Sequence, residues 1–529
     1  MLPTNLTKNS RIYRALLFLA TFSTATALFS FPAISDAIEL TLSPSMNTDL
    51  IFTDNVNLGP KGEERADFVT RLMPGIYGTA KGRRFDGEID YRMINTIFAR
   101  ETDRSRTFHS MRGKAVAELY EDFFFVETNA SMRQQNRSLL GPQGDTANTT
   151  NNLTNIQQYR ISPYIRKRLA GLASTEFRVA RIWTSSSDPV SYYNSQANTY
   201  TGTVLSGPDF QVLEWGLYYN KQDIDYQLRP ETVTLQTGIG SVKYNITHRF
   251  GLTGTGGYED NNFGGGGVRP SGARWSAGFV WIPNERTRIE ASGGQRFFGD
   301  TYAYNFSHRR RLTAFTSSYR EDVRGAFGVL GLDETGDTTT ILTNLFTAQA
   351  APGTDPAVIA QLVQDVIAGV GLPGNLADTG NFLTNRFFLQ KTFLAAAAAN
   401  GASNTLVFRV FKIRRQPIDS NPLLDDLLPG GGSLVNTNMI GGTAAWSVRI
   451  SNRNSATLAL SYTEVEYPSL ARKDKIKGIS FRVSRQLSEK VSAALMYRRR
   501  ERETTNDLGT DTFGGYAENR MMASLYVRF

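Results

Sequence analysis

The chain ends Tyr516-Ala517-Glu518-Asn519-Arg520-Met521-Met522-Ala523-Ser524-Leu525-Tyr526-Val527-Arg528-Phe529. Met521, Ala523, Leu525, Val527 and Phe529 form an apolar set at alternate positions, with Arg520, Ser524 and Arg528 between them. Successive side chains of an extended strand point to opposite faces, so this stretch predicts a strand with one oily side and one wet side.

The same period recurs upstream. Phe85, Ile89, Tyr91 and Met93 oppose Asp86, Glu88, Asp90 and Arg92. Leu213, Trp215, Leu217 and Tyr219 oppose Glu214, Gly216, Tyr218 and Asn220. Trp275, Ala277, Phe279 and Trp281 oppose Arg274, Ser276 and Gly278, while Trp446, Val448 and Ile450 oppose Ser447 and Arg449. A soluble sandwich also alternates, but its strands usually run about 5–6 residues, and these segments are longer. Their connections sort by length as well. Short turns at Lys81–Arg84, Glu121-Asp122, Ala170–Leu172, Pro283–Arg286, Arg453-Asn454 and Leu487–Glu489 interleave with loops at 137–156, 185–198, 260–272, 417–439 and 503–513. That sorting is the signature of a transmembrane antiparallel up-and-down β-barrel. An amphipathic last strand ending on Phe is similar to the signal that outer-membrane assembly machinery reads. Met521, Ala523, Leu525, Val527 and Phe529 are therefore the expected assembly signal, and that machinery an expected partner.

Composition agrees with this class. The chain of 529 residues has no cysteine and three histidines, which removes disulfide frameworks and thiolate metal sites. Its formal charge is +9, but the basic residues are scattered, which argues against a nucleic-acid partner. Residues 1–37 read as a cleaved secretory signal, with Lys8, Arg11 and Arg14 before an apolar run and Ser35-Asp36-Ala37 at the cleavage site. The expected unit is then one all-β barrel over 38–529 in a Gram-negative outer membrane, with both termini periplasmic. A first strand close to Ile38 leaves no room for an N-terminal plug, which argues against a siderophore-type receptor.

About 21 strands can be placed, including one at 303–319. Single-chain bacterial barrels have even numbers, so 20–22 is the expected count, and one ascending strand is hidden in 320–382 or one assignment is false. Within that insertion, Asp355-Pro356 followed by Val358, Ile359, Leu362, Val363, Val366, Ile367 and Val370 predicts a short amphipathic helix.

With these elements placed, the order of local patterns resembles a family of outer-membrane barrels found with PEP-CTERM and exosortase exopolysaccharide systems. The resemblance rests on Thr53-Asp54-Asn55-Val56, Ser162-Pro163-Tyr164, Trp215 through Asp223-Ile224-Asp225-Tyr226, Trp281-Ile282-Pro283 with Arg286-Thr287, and Ser307-His308-Arg309-Arg310-Arg311 leading to Tyr319. It implies a porin-like barrel linked to surface polysaccharide and brings no catalytic residues.

If the apolar faces meet lipid, the opposite faces line a lumen. Arg92, Arg274, Arg288, Arg309, Arg311, Arg449, Arg482, Arg498, Arg500 and Arg520 are the lumen-facing candidates, joined by Arg528 and by Glu88, Asp90, Glu214, Glu290 and Glu518. A net-positive, water-filled passage concentrates anions. The competing reading is cross-strand Arg–Glu ladders that stiffen the wall. No enzyme, cofactor or metal is expected. His109-Ser110 and Ser307-His308 are sequence neighbours that a strand sends to opposite faces, and His248 falls in a turn. Asp54, Asn55, Glu63 and Glu64 read as a solvated acidic loop rather than a calcium site. The expected function is passage or docking of a polar or anionic solute connected with exopolysaccharide export. The alternatives are a non-conducting barrel acting through its loops and, less favoured, a barrel hydrolase. Lipid, lipopolysaccharide, polysaccharide and periplasmic export components complete the expected partners.

Overall fold

The computed structural model describes residues 38–187, 194–227, 231–263, 270–325, 343, 386–418, 436–506 and 514–529. The leader 1–37 and the helix expected at 355–370 lie outside the described residues. Among those described, the helical segments are the 3-10 turns Thr102–Arg104 and Pro468–Leu470.

Everything else regular is strand. In chain order they are β1 Glu39–Thr53, β2 Asp67–Lys81, β3 Phe85–Phe98, β4 Arg106–Tyr120, β5 Phe124–Asn136, β6 Leu153–Leu169, β7 Ala173–Ser186 and β8 Ser195–Ser206. There follow β9 Leu213–Tyr226, β10 Val233–Thr247, β11 Phe250–Asn262, β12 Ser271–Asn284, β13 Thr287–Arg296, β14 Gly299–Arg309 and β15 Thr313–Arg324. The last seven are β16 Phe388–Asn400, β17 Asn404–Pro417, β18 Thr437–Arg449, β19 Asn454–Tyr467, β20 Arg472–Gln486, β21 Val491–Asn506 and β22 Tyr516–Arg528.

Each strand pairs antiparallel with the next in sequence. β1 also pairs with β22, from Ser45↔Arg528 to Thr53↔Arg520, so 22 strands close into one ring. Side chains lock the seam at its upper end. Thr53 Oγ1 donates to Glu518 Oε1 at 2.9 Å, and Asp54 accepts from the backbone N and side-chain Nδ2 of Asn519 at 2.8 and 2.7 Å. Asn55 is fully buried and donates to the Ala517 carbonyl at 2.9 Å. Asp54 and Asn55 are thus seam residues, which corrects their reading as a solvated loop; Glu63 and Glu64 are exposed.

The missing strand comes from the second of the two expected sources, a false assignment. The segment 303–319 is not one strand but parts of β14 and β15, separated by a turn at Arg310–Leu312 in which Arg310 N donates to the Thr313 carbonyl at 2.7 Å. This turn has no Gly, Pro or Asn to announce it, so sequence periodicity ran straight through. With it counted, the connections after even-numbered strands, two to six residues long, lie at one end with Glu39 and Phe529. Those after odd-numbered strands lie at the other, where the two-residue turn Phe297-Phe298 accompanies the long loops.

Outside the ring, Leu42, Phe52, Leu213, Leu217, Trp275, Trp281, Trp446, Leu495, Met521, Leu525 and Phe529 are exposed, the apolar band a bilayer requires. Inside, among the described residues, three apolar clusters gather near the long-loop ends. Leu139 packs with Phe388, Phe411, Ile413, Met439, Val465 and Tyr467. Ile182, Ala197, Ile224, Tyr226, Val233, Phe263 and Phe387 form the second, and Ile51, Val56, Val69, Phe98 and Ala147 the third. The lumen is therefore narrowed toward the long-loop end. Toward the short-turn end, inward residues such as Arg449 and Arg528 are exposed.

The register at the seam can be trapped. Thr48 faces Leu525, and the protein has no native cysteine. The double variant Thr48→Cys, Leu525→Cys should form an intramolecular disulfide in the folded barrel and not after denaturation; a gel-shift assay showing only reduced protein under oxidising conditions would mean the ring is open here.

An arginine-clamped loop in the lumen

The connection from β5 to β6 reads Arg137-Ser138-Leu139-Leu140-Gly141-Pro142-Gln143-Gly144-Asp145-Thr146-Ala147-Asn148-Thr149-Thr150-Asn151-Asn152. Its Gly, Pro, Asn and Thr content disfavours helix and strand alike. A loop of that composition belongs in water, yet Leu139, Gly141, Gln143, Thr146, Ala147, Asn148 and Thr150 are buried. It is folded into the barrel.

Pairing shows how it gets there. β4 and β5 stop pairing at Met111↔Met132, whereas β5 stays paired with β6 up to Asn136↔Leu153. From Arg133 onward the hairpin has left β4; Gln134 Nε2 donates to the His109 carbonyl at 2.8 Å across the gap. Local side-chain turns then fix the loop. Asn152 bonds both the N and O of Ser138, at 2.9 and 2.8 Å. Asp145 Oδ1 accepts from Ala147 N at 2.9 Å, and Asn148 Oδ1 accepts from Asp145 N at 3.0 Å.

A buried irregular backbone leaves carbonyls without partners, and each must find a donor. Arginines of the wall supply them. Arg502 donates to the carbonyls of Gly141 at 2.6 Å and Leu139 at 3.1 Å. Arg500 reaches the Gln143 carbonyl at 2.5 Å, Arg106 the Asn148 carbonyl at 2.6 Å, and Arg472 the Leu140 carbonyl at 3.4 Å. Arg498, Arg500 and Arg502 alternate along β21 on its inward face, so three successive inward positions grip three successive parts of the loop.

Carboxylates balance these cations. Asp145, the one acid in the loop, accepts from Arg520 at 2.6 Å and Arg498 at 3.2 Å. Glu518, buried on β22, also accepts from both, at 2.7 and 3.0 Å, and from Asn148 Nδ2 at 3.0 Å. A second group, Arg472–Asp474–Arg502, is almost fully buried, at 3.1 and 2.5 Å. Arg71 joins Asp49 at 2.6 Å and Thr146 at 3.2 Å. Burial pushes the Asp145 carboxyl up, but Arg520, then Arg498 and Arg71, outweigh it and hold it well below the usual carboxylate range. Its side chain still keeps 37% of its surface accessible. Water therefore shares this site, and its ion pairs are weaker than dry ones.

The sequence-derived arginines divide by height. Arg498, Arg500 and Arg520 are in the clamp. Arg274 lies elsewhere, sharing buried Glu259 with Arg296 at 2.5 and 2.8 Å. Arg92 and Arg288 face inward beside Asp90 and Glu290 on their own strands, and Arg482 lies inward on β20. Arg309 and Arg449 close β14 and β18 at the short-turn rim. Arg311 is a correction: it sits exposed in the Arg310–Leu312 turn and belongs to no strand face. Sequence reading missed Arg71, Arg106, Arg472, Arg502, Asp49, Asp145 and Asp474. Arg502 was reachable by carrying the Arg498, Arg500 step two residues further; Asp145 carried no signal, because nothing local tells a loop to fold inward.

Each strand histidine meets a neighbouring hydroxyl. His109 Nδ1 lies 2.8 Å from the Tyr91 hydroxyl and His308 Nδ1 2.8 Å from that of Thr287. Among the described residues, no three His, Asp or Glu side chains are grouped to hold a metal.

No family model matches the chain, and no curated protein does. Among solved structures, the FrpB iron transporter of Neisseria meningitidis is similar in fold. Its F3-3 variant aligns with a TM-score of 0.50 at 12% identity, over 92% of this chain and 82% of that one. The apoprotein form of its F5-1 variant gives 0.50 at 11%, over 92% and 81%. OccAB1 of Acinetobacter baumannii aligns at 0.36 and 9%, over 94% and 99%. At such identity the FrpB likeness establishes the fold, a large barrel of the outer-membrane type.

Removing the Asp474 charge takes from buried Arg472 and Arg502 the carboxylate they share. Asp474→Asn should destabilise the barrel by about 3–5 kcal/mol, measured by urea unfolding in detergent. Combining it with Arg502→Gln should cost less than the sum of the two single changes; strict additivity would mean the pair is not coupled.

Proposed function

We propose that this chain is an outer-membrane channel for polar, anionic solutes, with short turns and termini in the periplasm and long connections outside. The observation that supports the reading best is the combination of a closed ring with an inner face rich in arginine and open at the short-turn end. A ring of 22 strands is too wide for its own wall side chains to fill. Its charged inner face is tolerable only in contact with water, ions or solute. The clamped loop 137–152 narrows that passage and sets its upper size limit. The family resemblance adds the solute class: an acidic polysaccharide, whose carboxylates the guanidinium fork matches, handed over by periplasmic export components. Lipid and lipopolysaccharide surround the wall, and barrel assembly machinery inserts it.

The second reading, a non-conducting barrel acting through its outer loops, has one observation in its favour. Arg498, Arg500, Arg502 and Arg520 are all engaged in holding the loop, so at that height the cations are not offered to a solute.

Planar-bilayer recording separates the two. The native barrel should give small, salt-dependent, anion-preferring steps, and replacing residues 139–149 by a short Gly-Ser turn should enlarge them several-fold. Native protein that never conducts, beside a loop-trimmed variant that does, would make the loop a plug and end the channel reading. Arg520→Gln frees Asp145 from its shortest partner and should shift the native steps toward the trimmed size.

A further inference from the structure

One inward arginine stands apart from every network described above. Arg409 lies in the middle of β17, on the face carrying Val407, Phe411, Ile413 and Arg415. It is 5% exposed, and its Nε and Nη1 meet no hydrogen-bond partner. The guanidinium lies 5.2 Å from the centre of the Phe411 ring. Its register neighbours are Ala396 on β16 and Thr443 on β18. Those on the diagonals are Leu394, Ala398, Gly441 and Ala445, and none carries a charge. By contrast Arg415, three inward positions further along, donates to Gln390 Oε1 at 2.9 Å.

A guanidinium cannot shed its proton at any physiological pH, and burying an unpaired charge is expensive. The ring face of Phe411 offers a partial counter-field, not a counter-charge. The row continues from Arg409 through Thr443, Ser461 and Gly478 to Arg500. It places the Thr443 hydroxyl one strand and the Ser461 hydroxyl two strands from Arg409, at a strand spacing of roughly 5 Å. The row is close-built: a Cβ at Gly478 would lie 2.5 Å from Ser461 Oγ.

We propose that Arg409, with the Thr443 and Ser461 hydroxyls, is the anchor of an oxyanion-binding site in the lumen wall that takes a carboxylate or sulfate group. This deepens the channel reading and rests on it for the claim that solute passes here. The guanidinium supplies the fork, and the hydroxyls donate to the lone pairs of the oxyanion that the fork leaves free. Among the described residues, no Glu, Asp or Tyr is a register or diagonal neighbour of Arg409 on the adjoining strands.

The test is calorimetric titration of the full-length barrel in detergent, with sodium glucuronate and sodium sulfate as probes over a sodium chloride background. Wild type should bind at least one of them. Arg409→Gln should weaken that binding about tenfold or more, and Arg409→Lys, which keeps the charge and loses the fork, should fall between. Glucuronate alone binding identifies a sugar acid as the source of the carboxylate, and sulfate alone identifies a sulfated or inorganic anion. Unchanged affinity in Arg409→Gln, or no binding of either probe to wild type, overturns the proposal. So does an Arg409→Gln barrel that melts well below wild type without either probe, because Arg409 would then be a structural strut. Bilayer recording fails separately: a barrel that binds through Arg409 but never conducts sinks the channel and leaves the site.

Discussion

A strand in hydrocarbon has no water to satisfy its backbone, so each edge N–H and C=O must find another strand. Everything else in this molecule follows from that requirement. It forces β22 back onto β1, and because that closing pair is antiparallel like all the others, the ring has an even number of strands. It also explains where the seam invests its side chains. Thr53, Asp54 and Asn55 on one side, and Ala517, Glu518 and Asn519 on the other, tie the first and last strands where chain continuity cannot.

Closing so many strands creates a second problem, a lumen too wide to be filled from the wall. The β5–β6 hairpin answers it by leaving β4 and bringing a polar loop inside. That move strips water from half a dozen carbonyls, which is costly unless donors are waiting. Arginine suits the role because one side chain carries five donors in a planar array. Arg502 alone serves two loop carbonyls and Asp474. The carboxylates Asp145, Asp474 and Glu518 offset half the charge of the six arginines Arg106, Arg472, Arg498, Arg500, Arg502 and Arg520. The result is a loop held both by charge and, through Leu139 and Ala147, by apolar packing against the wall.

This changes the meaning of the inner arginines. Cross-strand ladders and an ion-lined passage were alternatives on sequence grounds, and the structure divides them by position. Near the long-loop end the cations are engaged with loop carbonyls and buried acids. Near the short-turn end Arg449 and Arg528 are exposed to the lumen. Arg409 fits neither group, which is why its isolation points to a ligand from outside the chain.

Much of the fold was legible in the residues themselves. Period-two alternation placed the apolar faces of β3, β9, β12, β18, β21 and β22, because a side chain's direction along a strand is a local matter. The same rule put Arg498, Arg500 and Arg520 on the wet face. Two things escaped it. The turn at Arg310–Leu312 is made of residues that a strand accepts equally well, so it needed the pairing of β14 with β15 to exist. The inward course of residues 137–152, and with it Asp145 against Arg520, joins positions 375 apart in sequence. Local chemistry set which side of each strand faces oil; only closure of the ring decided which distant charges face one another, because no property of one segment records what lies across the lumen.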